Sequence, residues 1–171
     1  MSYRGRHVRP AGIKEKQSAV AGLYDWVGAA IFSLAFVALV FTFLFRIVGV
    51  VGKSMLPTLH DGDRLVITRL FYQPKRGDIV IINMHNDEPL VKRVIAVEGD
   101  RLRIDEEGNG VYVNGEKLTE FYIQGDTYPG SFGTEEQTVP AGCLFVMGDN
   151  REHSKDSRDT ANVGFVKKSD L

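Results

Sequence analysis

Residues 26–45, WVGAAIFSLAFVALVFTFLF, form a run of twenty residues without a single charge. As a helix such a run rises about 30 Å, the hydrocarbon thickness of a bilayer. Tyr24 and Trp26 stand at one end, where amphipathic rings favour the headgroup region, and Arg46 closes the other. A buried core helix is the plain alternative, but soluble helices of this length show a polar stripe that this run lacks. A cleaved secretion signal would have an apolar stretch of only about 7–15 residues before a small-x-small site. Here the run is longer, and the RIVGVVGK that follows offers bulky valines instead. An uncleaved anchor fits better.

Charge then sets an expected orientation. Residues 1–25 hold Arg4, Arg6, Arg9, Lys14 and Lys16 against Glu15 and Asp25, a balance of +3 within a chain of net charge -1. Basic flanks stay in the cytoplasm, which places the rest outside it. The expected organisation is a cytoplasmic basic segment at 1–25, a transmembrane anchor at 26–45 and an extracytoplasmic body at 46–171. Near-neutral net charge gives no electrostatic reason to expect nucleic acid. The lone Cys143 cannot form an internal disulfide or a cysteine-built zinc site.

Beyond Arg46 the helical period disappears. Short β-branched segments at 47–51, 64–70, 78–83 and 91–97 read as strands, separated by turn signals such as Asp61-Gly62-Asp63 and Pro74-Lys75-Arg76-Gly77. Residues 101–104 and 111–113 suggest a hairpin, and Asn114-Gly115 a tight turn after it. Further strands are expected at 137–139, 144–147 and 164–166. The body is therefore predicted to be mostly β, a closed or partly closed barrel, because many short strands otherwise expose edges. The acidic, loop-rich stretch 125–136 has no readable role. His7, His60, His85 and His153 are scattered, and no metal or cofactor is implied.

Three segments carry candidate chemistry. Gly52-Lys53-Ser54-Met55-Leu56-Pro57-Thr58-Leu59 offers a hydroxyl among apolar neighbours, with Pro57 restraining the backbone, although a hydrogen-bonding serine in a turn reads the same way. In Pro89-Leu90-Val91-Lys92-Arg93-Val94-Ile95-Ala96-Val97, alternation puts Lys92, Val94 and Ala96 on one face. A lysine there either snorkels to water or, if buried, loses its charge more readily and becomes able to accept a serine's proton. The third segment runs from Gly148 through Asp149, Ser154 and Asp156 to Arg158. It is either a solvated, salt-bridged loop or a framework in which Asp149, Asp156 and Arg158 pair while Ser154 orients the Lys92 amine.

Together the segments resemble bacterial type I signal peptidase, a membrane-bound serine–lysine endopeptidase, in its compact Gram-positive form. The matching pieces are Ser54-Met55-Leu56-Pro57-Thr58-Leu59, Arg64-Leu65-Val66, Gly77-Asp78-Ile79-Val80, Val91-Lys92-Arg93-Val94-Ile95-Ala96 and the GDNR…S-x-DSR loop. The resemblance implies Ser54 as nucleophile and Lys92 as general base, with Ser154 orienting Lys92. It also implies that Asp156 and Arg158 maintain the site, Asp149 supports its loop, and Met55, Leu59, Leu90 and Val91 wall the substrate pockets. Two departures stand out. Some relatives carry a serine two residues before the nucleophile where this chain has Gly52, and members often continue past a segment like 163–171 with another hydrophobic strand.

The implied reaction is removal of signal peptides from secreted preproteins after a small-x-small motif, at the outer face of the cytoplasmic membrane. Expected partners are those preproteins, the phospholipid membrane and, by proximity, the secretion translocon. Two competing readings are a catalytically inactive membrane-anchored β module that binds exported chains, and a self-cleaving repressor-like serine–lysine peptidase.

Overall fold

The computed structural model describes residues 11–68, 72–84 and 88–171. Arg4, Arg6, Arg9, His7 and His85, and the last two residues of the strand expected at 64–70, lie outside the described residues. The chain divides into two compact units, Met1–Arg46 and Ile47–Leu171.

The described residues of the first unit are the helix α1 (Ala11–Leu44) and the two residues that open the following strand. Its stretch Gly22–Thr42, 21 residues with mean hydropathy 1.9, is long and apolar enough to cross a membrane, and none of it is buried. Within it, the Thr42 hydroxyl donates to the Ala38 carbonyl at 2.8 Å, so this polar group is satisfied inside the helix. The helix starts well before the apolar run, and it stops one residue short of the run's end. Phe45 instead opens a strand, β1 (Phe45–Gly49), whose partner is β2 (Arg64–Thr68). Chain pairing decides that boundary where hydropathy alone does not.

Two four-stranded sheets make up most of the second unit. One runs β10 (Val166–Lys167), β9 (Cys143–Met147), β4 (Leu90–Val97), β3 (Ile79–Ile82); the other runs β7 (Glu116–Lys117), β6 (Val111–Val113), β5 (Arg101–Ile104), β8 (Gln137–Thr138). The body is mostly β behind a single N-terminal apolar helix, as expected from the sequence. Closure is partial, since the hydrogen-bonded order of each sheet ends at an edge strand. Asn114 and Gly115 turn the chain between β6 and β7 with φ of 56° and 85°, the paired positive values that an Asn-Gly hairpin turn requires.

β9 and β4 separate two cores. Ile95, Ala96, Leu102, Ile104, Val111, Phe145 and Met147 pack in the larger one, and Val80, Ile82, Val94, Leu144, Val146 and Val166 in the smaller. Burial on both faces explains why β9 reads as a continuous apolar run rather than an alternating one. The alternation expected for Lys92, Val94 and Ala96 does not hold along the whole strand. Val94 pairs with Val146 but Ala96 with Phe145, so a β-bulge at Ile95 moves Ala96 into the other core.

Candidate functional site

Lys92 lies in the middle of β4, opposite Val80 of β3, and is only 2% exposed. Its Nζ and the Ser54 Oγ hydrogen-bond across 2.7 Å, although 38 residues separate them in sequence. The amine also donates to the Val91 carbonyl at 3.0 Å. A neutral amine can make that donation and still accept a proton from Ser54. Burial pulls the Lys92 pKa down from 10.5 to about 8, and the negative charge of Asp156 opposes the shift without cancelling it.

The Ser54 segment is tied down from one side. The Asn150 N–H donates to the Ser54 carbonyl at 3.0 Å, and the Asn150 side-chain amide donates to the Lys53 carbonyl at 3.1 Å. Thr58 donates its hydroxyl proton to Asp149 at 2.5 Å. Within the segment, the Leu59 N–H donates to the Met55 carbonyl at 2.9 Å, and the peptide bond before Pro57 is cis. Gly52 takes φ of 91°, a left-handed value that suits glycine, and its N–H donates to Asp61 at 2.9 Å.

The loop after β9 carries most of the buried charge. Arg158 donates from Nε to one oxygen of Asp156 and from Nη2 to the other, each at 2.9 Å, while the Gly148 N–H donates to the same carboxylate at 3.0 Å. Ser157 extends the edge of β9: Val146 donates to its hydroxyl and its own N–H donates back to the Val146 carbonyl, both at 3.0 Å. This loop is not a solvated one. Asp149, Asp156, Ser157 and Arg151 are essentially inaccessible.

Asp149 was expected to pair locally with Arg158. It accepts instead from Arg93, at 2.8 Å from Nε and 2.6 Å from Nη2. The register explains this: Arg93 sits opposite Met147, and Asp149 follows two residues later on the same side. Lys92-Arg93 is a pair of adjacent cations in an apolar strand, each facing a different way. That pattern signals a need for two separate partners, and sequence reasoning followed up only the first. The stretch 120–128 was also missed. Glu120 forms an ion pair with buried Arg151, Thr127 accepts from Arg151 at 2.8 Å, and the Tyr122 ring lies 4.0 Å from the Arg93 guanidinium.

The remaining candidates fall into place less uniformly. Ser154 keeps its Oγ buried and without a hydrogen-bond partner among the described residues, so the expected bond to Lys92 is not formed. Met55 is 1% exposed and so presents almost no surface, whereas Leu59, Leu90 and Val91 are half-buried. A cavity of about 440 Å³ opens beside the Gly148–Arg158 loop, lined by Tyr128, Arg151, Ser154, Asp156 and Arg158 among others, but neither Ser54 nor Lys92 lines it. Among the described residues, no three His, Cys, Asp or Glu side chains gather so as to hold a metal ion.

The family described as "Signal peptidase, peptidase S26" matches residues 23–171. A signal peptidase I of Bacillus licheniformis is 39% identical over 163 residues, covering 85% of this chain and 82% of that one. A signal peptidase I of Bacillus caldolyticus is 40% identical over 139 residues, covering 73% and 74%. Among solved structures, a signal peptidase I from Enterococcus faecalis is similar at 28% identity with a TM-score of 0.45, covering 58% of this chain and 93% of its own.

Proposed function

The chain belongs to the peptidase S26 family of signal peptidases, and from that premise we propose that Ser54 is its nucleophile and Lys92 its general base. The protein is a serine endopeptidase that removes signal peptides from preproteins. The observation that carries the residue assignment is the 2.7 Å contact between a buried lysine amine and a serine hydroxyl.

The chemistry follows from that geometry. With a pKa of about 8, roughly one Lys92 in ten is neutral at pH 7 and about half are at pH 8. The neutral amine takes the Ser54 proton as Oγ attacks the scissile carbonyl carbon, and the carbonyl electrons move to oxygen. With the Gly52 N–H committed to Asp61, the Ser54 backbone N–H is the donor assigned to that oxyanion. The protonated amine then gives its proton to the departing amine, leaving an acyl-enzyme. Lys92, neutral again, activates water to release the mature chain's leader and restore Ser54.

Asp156 and Arg158, locked to each other and to Gly148, hold the loop behind the amine, and Asp149 fixes the Ser54 segment through Thr58. Leu59, Leu90 and Val91, with the buried Met55, are assigned to the pockets that accept the small residues before the cut. The proposed topology has the N-terminal flank in the cytoplasm and the β body outside, on the membrane face where preproteins leave the secretion translocon. Ile47, Val51 and Val66 are exposed apolar side chains just after the helix in sequence or on the strand paired with β1, which supports lipid contact by this ribbon.

The test is cleavage of a leader-bearing precursor by the full chain in detergent, with mass spectrometry locating the cut. Wild type cuts one bond after a small-x-small motif. Ser54→Ala and Lys92→Ala fold but do not cut. Normal cleavage by either variant removes that residue from the mechanism.

A further inference from the structure

Arg93 follows Lys92 directly and so projects from the other face of β4. Its guanidinium is held by two bonds to Asp149 and by one to the Gly77 carbonyl at 2.8 Å. Asp149 also accepts the proton of Thr58, four residues beyond Ser54. One ion pair therefore joins the strand that carries the amine to the segment that carries the hydroxyl. The Tyr122 ring packs on this guanidinium, its centroid 4.0 Å from Cζ.

Tyr122 is itself anchored on both sides. Its hydroxyl donates to Glu120 at 3.0 Å, and Glu120 pairs with Arg151 in the loop that holds Asp149. The Gln124 N–H donates to the Asp149 carbonyl at 2.8 Å and the Gln124 carbonyl accepts from the Arg151 N–H at 2.9 Å. Residues 120–124 thus form a strap across the loop, and none of these contacts involves Ser54 or Lys92. A ring face over a guanidinium attracts the cation and shields its ion pair from water, where the pair would be weakened.

We propose that Tyr122 is a positioning residue that sets the Ser54–Lys92 geometry by stacking on Arg93 and keeping the Arg93–Asp149 pair dry. This rests on the assignment of Ser54 and Lys92 as the reacting pair. Loosening the clamp misplaces the hydroxyl relative to the amine, a change that slows the chemical step more than it weakens substrate binding.

The test uses the full chain in detergent and a leader-bearing precursor, with kcat and KM measured separately and folding checked by thermal unfolding. Tyr122→Ala leaves a hole as well as removing the ring, so Tyr122→Leu, which retains bulk, is the deciding variant. Its kcat should fall roughly three- to thirtyfold with KM within about twofold of wild type. Tyr122→Phe, which keeps the ring face, should recover most of the lost kcat. The proposal is overturned by a Leu variant with wild-type kcat, by a Phe variant as slow as Leu, or by a change confined to KM. Ser54→Ala is measured alongside. If it still cleaves, the dyad assignment fails; if it is inert while Tyr122→Leu is fully active, only the role of Tyr122 falls.

Discussion

Arg93 donates to both oxygens of Asp149, at 2.8 and 2.6 Å, across 56 residues of sequence. The Asp149 side chain is 0% exposed and that of Arg93 only 11%. Removing one member of so buried a pair strands the other. Asp149→Ala should therefore lower the unfolding free energy by about 3–5 kcal/mol, read as a lower urea midpoint. Arg93→Lys keeps the charge but not the two-pronged geometry, and should still cost activity in the precursor assay. An Asp149→Ala protein with the wild-type urea midpoint would show that the pair carries no weight.

Lys92 makes a pH prediction with a definite sign. Its folded pKa of about 8 lies below the ordinary 10.5, so between those values the unfolded chain holds a proton that the folded chain has released. Stability rises with pH through that window, and below about pH 8 the full cost of burying the charge is present. That cost is at most about 3 kcal/mol for a shift of this size. Lys92→Met should consequently be inactive yet more stable than wild type at pH 7, with the difference closing by pH 10.5. Catalytic activity should lose about tenfold per pH unit below the same midpoint. Equal stability of the two proteins at pH 7 would contradict burial of a charged amine.

Gly148 has no room for a side chain. A Cβ there would collide with the Ser154 hydroxyl and with the backbone carbonyl of Ser54. Rotating the Ser154 hydroxyl moves Oγ but not the Ser154 Cβ, which also lies too close, and the Ser54 carbonyl is held by the Asn150 N–H. Gly148→Ala should thus displace Ser54, cutting kcat sharply at a stability cost of about 1–3 kcal/mol. Adding Ser154→Gly relieves only one of the two collisions and should not restore cleavage. Full activity in the double variant would place the conflict at Ser154 alone.

Glu120 and Arg151 form another deeply buried ion pair, with side chains 4% and 0% exposed. Single replacements, Glu120→Leu or Arg151→Met, should each destabilise by about 3–5 kcal/mol, because each leaves a buried charge without its counterpart. The double replacement should recover much of the loss. A double-mutant cycle in urea measures this, and simple additivity would argue that the two charges do not depend on each other.

Local structure was the most legible part of this chain. Strands at 101–104 and 111–113 and the Asn114-Gly115 turn follow from β-branched residues and turn chemistry, and they appear at those residues. β7, only Glu116–Lys117, was not foreseen because neither residue favours a strand; it exists through pairing with Tyr112 and Val113. The bulge at Ile95 was equally hidden, since it is defined by what β9 places opposite. Ser54 and Lys92 could be singled out by chemistry and resemblance. The partners of Arg93 could not, because an ion pair across 56 residues depends on strand register rather than on spacing.

The bulge also separates two obligations of β4. Before Ile95 the strand keeps step with the site, and after it with the larger core, as if a one-beat rest had been written between two phrases. Deleting that single residue would restore an even rhythm: Ala96 would follow Val94 directly and still face the larger core, which would lose only the Ile95 side chain. Exchanges among Ile95, Ala96 and Phe145 that respect volume should therefore accumulate without rotating Lys92, whereas a residue inserted between Lys92 and Val94 should turn the amine to the other face.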